Sequence, residues 1–245
     1  MAASMIRRCL VCLTIAFTLL AQPLGASDPP SPAIDQIVAR MVAMDAERTA
    51  SQQPYQGIRH YTVDYKGFPS DRHAEMVVQV VSDPPQKKFT VVSESGSKLL
   101  LNRVLRKLIE SESEASDGRN RRDVKLTPDN YKFQLLGTES LDGRSCYVLL
   151  VEPKKGNKYL YKGKVWVDAQ DFAVAQISAT PAKNPSFWIS SVQIEHRNEK
   201  HGEMWLPRSN RSTSKVRLGG RALLTIDYRR YDLSTTSAAQ ETPAK

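Results

Sequence analysis

A chain of 245 residues with 35 lysines and arginines against 26 aspartates and glutamates carries a formal net charge of +9. This length is enough for one large domain or two small ones. A basic charge balance raises nucleic acid as a partner. No nucleic-acid-binding motif occurs in the sequence, however, and its first residues indicate export. Anionic lipid headgroups and acidic proteins are therefore the better candidates for partners.

The first 26 residues have the features of an export signal. Arg7 and Arg8 precede a short apolar run from Cys9 to Ala21, and a small-residue cleavage site ends at Ala26. The apolar run is too short for an ordinary membrane span, although a retained N-terminal anchor is the alternative. We therefore predict a periplasmic protein with a signal peptide at 1–26.

Cleavage would remove Arg7 and Arg8, leaving a net charge of 9 − 2 = +7 and Cys146 as the last cysteine. The exported domain would then have no internal disulfide and would depend on its apolar core. Cys146 leads straight into an apolar segment, which predicts a small buried residue rather than a nucleophile.

Residues 27–33 form a polar, proline-rich leader, and helix signals follow it. Apolar residues from Ile34 to Met44 recur at helical spacing, with Asp35 near the start and Arg48 near the end. We interpret this stripe as the face that packs on a sheet, with a membrane-lying helix as the alternative. The helix should end before Pro54.

Alternating segments at 59–66, 73–82 and 88–93 predict strands, and their short connections predict antiparallel pairing. From Lys98 to Glu114 the apolar period becomes helical, and basic residues fill much of the rest of that helix. This pattern is typical of an ordinary helix packed on a sheet, of a membrane-surface helix, or of a lid over an apolar cavity. We predict an exposed charged loop from Glu110 to Asp123.

The rest of the chain reads as short strands separated by glycine- and asparagine-rich turns. The clearest is a hairpin whose turn, Asp168 to Asp171, follows an alternating strand from Tyr159. The tail, 234–245, is small and polar and is predicted to be disordered. The prediction is an α+β domain built on one long antiparallel meander, which should curl and offer a concave face to its helices.

Catalytic and metal-binding motifs are missing from the sequence. The four histidines occur in no zinc-binding motif, although His60 and His73 could face each other across a hairpin. The carboxylate pair Asp168 and Asp171 is explained by its turn. We therefore expect no catalytic residue, no metal and no cofactor. Basic clusters at 119–122, 154–158, 162–164 and 208–221 are typical of solvated faces, or of a positive rim that meets an anionic membrane.

Several strand and turn motifs resemble bacterial LolA-like proteins, a family often described as outer-membrane lipoprotein-sorting proteins. The resemblance covers roughly Ile34 to Leu233 and extends to the periplasmic lipoprotein carrier LolA and the N-terminal domain of the regulator RseB. The matching motifs are Leu126-Thr-Pro, Leu135-Leu-Gly, Leu141-Asp-Gly-Arg, Cys146-Tyr, Glu152-Pro-Lys, Trp166-Val-Asp, the run from Pro181 to Trp188, and Trp205-Leu-Pro.

This resemblance implies a strongly curved antiparallel sheet, a half-open β-barrel, with helices covering or filling its concave apolar face. It implies a non-enzymatic periplasmic protein that binds a lipid or an acylated lipoprotein at 34–233. The LolA carrier uses an arginine before a proline to hold its lid shut. The corresponding position here is Asp83 before Pro84, so no lid-latching arginine can be transferred.

Strand alternation supplies the candidate residues for such a cavity, each of which could equally be ordinary core. The predicted lid helix contributes Leu100, Val104, Leu105 and Leu108. The predicted lining residues are Val63, Tyr65, Met76, Val78, Phe89, Val165, Val167, Val174, Val192, Ile194, Leu224 and Ile226.

Two other classes of function stay open at this point. An RseB-like regulatory or scaffold module would bind another envelope protein and would have a tightly filled interior. A hydrolase would need a convergent polar site, and retained function after joint mutation of His60, His73 and His196 would exclude it. The sequence leaves the cargo and the oligomeric state undetermined.

Overall fold

Ten antiparallel strands form one sheet in the described part of the chain. The structure is a computed structural model that describes residues 32–84, 86–116, 124–156, 159–184, 187, 189–217 and 219–233. The predicted signal peptide, most of the leader and the tail lie outside these residues. The strands are β1 (Tyr55–Lys66), β2 (Arg72–Asp83), β3 (Gln86–Gly96), β4 (Tyr131–Leu141), β5 (Arg144–Pro153), β6 (Tyr161–Asp168), β7 (Val174–Pro181), β8 (Ile189–His201), β9 (Met204–Val216) and β10 (Arg221–Asp232).

The strand order is β3-β2-β1-β10-β9-β8-β7-β6-β5-β4, so the sheet is open and has β3 and β4 as its edges. Each hairpin neighbour pairs antiparallel, as the short connections predict. The one non-sequential pair is β1 with β10, where Lys66 lies opposite Arg221. The predicted long antiparallel sheet is confirmed, and it is not closed into a barrel.

One face of this sheet is apolar across most of its width. Directly paired residues share a face, so the register defines a row of neighbours from one half of the sheet to the other. The row runs Leu149, Val165, Ile177, His196, Asn210, Ile226, Tyr61 and Met76.

The first helix, α1 (Ile34–Ala50), packs on the β4–β7 half of this face. Its residues Ile37, Val38 and Met41 are at most 4% exposed and join a cluster that includes Leu149 and Val165. Burial of such side chains contributes about 2 kcal/mol each. The predicted stripe and the predicted end before Pro54 are both confirmed.

Arg48 fixes the C-terminal end of α1 to the β6–β7 turn. Its guanidinium donates hydrogen bonds to the carbonyl oxygens of Asp171, at 2.8 Å, and Phe172, at 3.2 Å. The helix is therefore held at its last turn by polar contacts as well as by its apolar stripe.

The second helical region comprises α2 (Lys98–Leu100), a π-helical turn (Leu101–Leu105) and α3 (Arg106–Ser116). We call it the 98–116 helix. It packs on the other half of the apolar face, where Leu100, Leu101 and Leu105 join Tyr61, Met76 and their neighbours.

The prediction of a loop beginning at Glu110 is wrong, because residues 110–116 continue the helix. This part of the helix carries glutamates and serines in place of an apolar stripe. One of the glutamates, Glu112, is anchored by an ion pair with the sheet that a local pattern does not reveal. The remainder of the predicted loop, 117–123, lies outside the described residues.

Gly96 is needed where the chain leaves β3 to enter the 98–116 helix. Its φ is +90°, and a Cβ there would lie 2.3 Å from the carbonyl oxygen of His73. The next residue, Ser97, donates its backbone N–H to that carbonyl at 2.8 Å. A glycine is therefore the residue that permits both the close approach and the left-handed conformation.

Candidate functional site

The 98–116 helix and the strands below it bring together eleven of the sixteen predicted cavity and lid residues. All eleven are buried or partly buried in one apolar cluster on β1, β2, β3 and β10. They are Val63, Tyr65, Met76, Val78, Phe89, Leu224 and Ile226 from the strands, with Leu100, Val104, Leu105 and Leu108 from the helix.

The other five predicted residues lie elsewhere on the same face. Val165, Val167 and Val174 belong to the cluster under α1. Val192 is 6% exposed and Ile194 is half-buried, and both lie on β8, between the two clusters. The predicted lining is therefore divided between two helices rather than gathered under one.

The strip between the two clusters is more polar than the rest of the face. There the register pairs Ile194 with Ser212, and His196 with Asn210. Burial lowers the pKa of His196, whose Nε2 lies 3.0 Å from Oδ1 of Asn198. Neutral imidazole, amide and hydroxyl groups thus separate two apolar surfaces.

A buried arginine ties the 98–116 helix to the sheet. Arg59, on β1, is 5% exposed, and its Nη1 forms an ion pair with Oε2 of Glu112. The same nitrogen donates a hydrogen bond to the Tyr61 hydroxyl at 3.2 Å. The guanidinium also lies over the rings of Phe89, at 5.4 Å, and Tyr228, at 4.8 Å.

The charge state of Arg59 follows from these neighbours. Burial by itself would lower the pKa of the guanidinium, but the carboxylate of Glu112 and the Tyr61 hydroxyl raise it overall. Burial raises the pKa of Tyr61 to about 12. A permanent cation and a neutral phenol therefore face the helix.

Sequence reasoning missed this ion pair. The resemblance directed attention to Asp83, where no arginine stands. The available signal was strand phase, because Arg59 shares the inward-facing phase of β1 with Tyr61 and Val63. A charged residue in such a phase needs a partner.

The structure has a cavity of about 700 Å³ beside the second half of α1. It lies between that helix, the 124–127 segment and the β8–β9 hairpin. Much of its wall is apolar, including Met41, Val42, Leu126, Val174, Met204 and Leu206. Of the sixteen predicted residues, Val174 alone is among its described lining.

His60 and His73 lie on the same hairpin but are not paired directly across it. His60 lies opposite Val77 and His73 lies opposite Asp64, so the two do not face each other. Both instead contact the Glu75 carboxylate, at 3.5 Å and 3.0 Å. Within the described ranges, no group of three or more histidine, cysteine, aspartate or glutamate side chains could hold a metal ion.

Cys146 is fully buried, as predicted. Burial, together with the nearby Asp168 carboxylate, raises the pKa of its thiol to about 11. The thiol is therefore protonated near neutral pH, a state unsuited to nucleophilic attack.

No helix among the described residues is both long and apolar enough to cross a membrane.

Three solved structures are similar to this chain. One is a DUF1329 family protein from Desulfovibrio piger, with 16% identity over 84% of this chain and 95% of that chain and a TM-score of 0.40. A LolA superfamily protein from Nitrosomonas europaea has 12% identity over 83% and 94%, with a TM-score of 0.35. An outer membrane lipoprotein-sorting protein domain from Vibrio parahaemolyticus has 12% identity over 82% and 94%, with a TM-score of 0.38.

None of the curated proteins matches the sequence. A family model described as "uncharacterized protein" matches residues 111–237, which is more than half of the chain. The chain belongs to that family, whose description assigns no activity.

Proposed function

We propose that this chain is a non-enzymatic binding protein of the bacterial envelope that shields a lipid or a lipoprotein acyl chain from water. The observation that carries the proposal is the cavity of about 700 Å³ beside α1, whose wall continues the apolar face of the sheet. Cavities of a few hundred to about 1,000 Å³ with mainly apolar walls are the usual sites for small ligands.

Burial of an acyl chain supplies the binding energy without covalent chemistry. Each methylene group removed from water contributes about 0.8 kcal/mol. The polar groups at the cavity, including Asp45 and the Arg48 guanidinium, would lie toward the headgroup end of such a ligand. A protein that binds the acyl chain with apolar side chains and the headgroup with polar ones needs no catalytic residue.

The 98–116 helix acts in this proposal as a movable cover over the second apolar cluster. Arg59 and Glu112 hold its far end on the sheet, and the close contact of Gly96 with His73 fixes the end from which it would open. Its opening would join the Val63–Ile226 cluster to the strip on β8 and extend the surface available to a longer ligand. In this proposal Arg59 holds the lid, a role that the resemblance assigns to an arginine at the position occupied here by Asp83.

The cavity can be tested by filling it from its rim. Ala46 lines the cavity but is exposed, so tryptophan there should block the opening without disturbing the core under α1. We expect Ala46→Trp to weaken binding of a fluorescent fatty acid at least tenfold, as measured by equilibrium titration.

Ala43→Trp is the matched control, since Ala43 is exposed on the same helix and does not line the cavity. It should bind the probe as the unmodified protein does. Equal binding of the probe by both variants would show that the cavity beside α1 is not the binding site.

A scaffold that binds another envelope protein is the second candidate, and it is favoured by the β3 edge of the sheet. Val92 is 60% exposed and Val91 is 39% exposed on that edge strand, where an extended segment of a partner could pair. A tightly filled interior is what this alternative requires, and the cavity beside α1 counts against it.

A further inference from the structure

One end of the sheet gathers four connections that are distant in sequence. The register places the β1–β2, β5–β6, β7–β8 and β9–β10 connections at the same end of the strands. The other four hairpin connections, β2–β3, β4–β5, β6–β7 and β8–β9, lie at the opposite end. The two ends can therefore be compared directly.

The charges of the chain are divided between these two ends. Among the described residues, and counted with one flanking residue on each side, the first four connections contain seven lysines and arginines and one carboxylate. The other four, counted in the same way, contain one arginine and five carboxylates. The cationic residues are Lys66, Arg72, Lys154, Lys155, Lys183, Arg217 and Arg221, and the lone carboxylate is Asp71.

Part of the positive end is a shallow depression of about 720 Å³. Lys66, Lys215, Arg217 and Arg221 line it, and no carboxylate is among its described lining residues. Asp71 pairs with Lys66 at 3.0 Å. Lys215, Arg217 and Arg221 form no ion pair with a described carboxylate, so their like charges repel one another. A ligand with several negative charges would relieve that repulsion.

Exposed aromatic rings accompany the cations. Phe68, in the β1–β2 connection, is 76% exposed, and Phe187, in the β7–β8 connection, is 74% exposed. The Arg217 guanidinium lies 5.0 Å from the centre of the Phe187 ring. Tyr159, in the β5–β6 connection, is 56% exposed.

The Tyr65 hydroxyl holds two of these connections together. It lies 2.6 Å from the carbonyl oxygen of Phe68 and 3.0 Å from that of Gly219. The exposed Phe68 ring and the cationic depression are thus parts of one surface, which we call the basic-aromatic end.

We propose that the basic-aromatic end docks on an anionic lipid bilayer. Lysines and arginines are attracted to the negative surface potential, and exposed aromatic rings favour the level of the lipid headgroups. The connections at the opposite end carry a single arginine, and Asp168 pairs with it at 2.6 Å. The protein would therefore meet the membrane with the basic-aromatic end of its strands. The proposal stands apart from cargo binding, because association with vesicles and uptake of an acyl probe are measured separately.

The test is co-sedimentation with vesicles of phosphatidylcholine alone or mixed with phosphatidylglycerol. The unmodified protein should bind the mixed vesicles and not the neutral ones, and raised salt should weaken binding. Arg217→Glu with Arg221→Glu should weaken it by about tenfold or more. Phe68→Ser with Phe187→Ser should also weaken it, without changing the salt dependence.

The matched control is Lys88→Glu with Lys107→Glu, which changes the net charge equally at exposed positions outside the basic-aromatic end. It should bind as the unmodified protein does, and all variants should keep the same unfolding midpoint. Equal weakening by both charge reversals would overturn the proposal, as would binding to glycerol 3-phosphate with no binding to mixed vesicles. Retained fatty-acid uptake by the Arg217 and Arg221 variant would show that cargo binding is a separate property.

Discussion

Replacing Glu112 with alanine is expected to loosen the 98–116 helix and to destabilise the protein by about 2–4 kcal/mol. Arg59 is 5% exposed in the unmodified protein, and the change deprives its guanidinium of its carboxylate partner. A fully buried ion pair that loses one partner costs about 3–5 kcal/mol. The lower range applies because the Glu112 side chain is 28% exposed and is partly solvated already.

The measurements are urea unfolding and amide hydrogen exchange over 98–116. Relative to the unmodified protein, exchange should accelerate more in that helix than in the strands around Val165, because the helix loses its contact with Arg59. Glu110→Ala is the control, because Glu110 is exposed on the same helix, and it should stay within about 0.5 kcal/mol of the unmodified protein.

Replacing both partners should cost less than replacing one. In the variant Arg59→Met with Glu112→Leu, neither charge is left buried, and the long apolar side chains can occupy the space. We expect its stability to be within about 1 kcal/mol of the unmodified protein. The single variants Arg59→Met and Glu112→Leu complete the comparison. A loss in the double variant equal to the sum of their two losses would contradict the ion-pair account of the helix attachment.

The second large effect is expected at Asp168, which is 1% exposed at the end of β6. Its carboxylate accepts two hydrogen bonds from Arg144, at 2.6 Å and 2.9 Å. It also accepts the backbone N–H groups of Gln170, at 3.0 Å, and Asp171, at 2.7 Å. Replacement by alanine leaves three of these four donors without their partner, because Nη2 of Arg144 also donates to Oδ2 of Asp171 at 3.1 Å. Since the Arg144 side chain is 36% exposed, the change should cost about 2–4 kcal/mol in urea unfolding.

The same carboxylate gives a pH dependence of known sign. Burial alone would raise the pKa of Asp168, but hydrogen bonds from Arg144 and the turn lower it overall. Its stabilising contribution is therefore complete above the unfolded pKa of about 3.9 and is lost as the pH falls toward the lower folded value.

Asp168→Asn should accordingly be less stable at neutral pH and should lose less stability on acidification. Asp142→Asn is the control, since Asp142 is 61% exposed in the nearby β4–β5 turn and forms a 3.6 Å contact with Arg208. It should change stability by less than about 1 kcal/mol. A parallel acid dependence of the Asp168 variant and the unmodified protein would contradict this role.

Local patterns in the sequence predicted the elements that are stabilised by their own periodicity. The stripe from Ile34 to Met44 gave α1, and strict alternation gave the inward faces of β1, β2 and β6. The Asp168 turn was also predictable, because aspartate accepts backbone N–H groups two and three residues ahead. These elements need no knowledge of distant neighbours.

Features that depend on strand order could not be predicted from local sequence patterns. Alternation assigned Val63 and Val165 to one face, but not to different helices on that face. The helix end near Glu112 depends on Arg59, which is 53 residues earlier in the chain. The cavity likewise forms between α1 and the β8–β9 hairpin, two elements with no shared pattern.

The measurement that most directly tests the central claim is native mass spectrometry of the protein isolated under mild conditions from the bacterial cells that produce it. The account predicts a mass excess that fragments as a phospholipid or an acylated peptide. That excess should persist in Ala43→Trp and disappear in Ala46→Trp. A ligand-free mass, with no uptake of an added fluorescent fatty acid, would contradict the account.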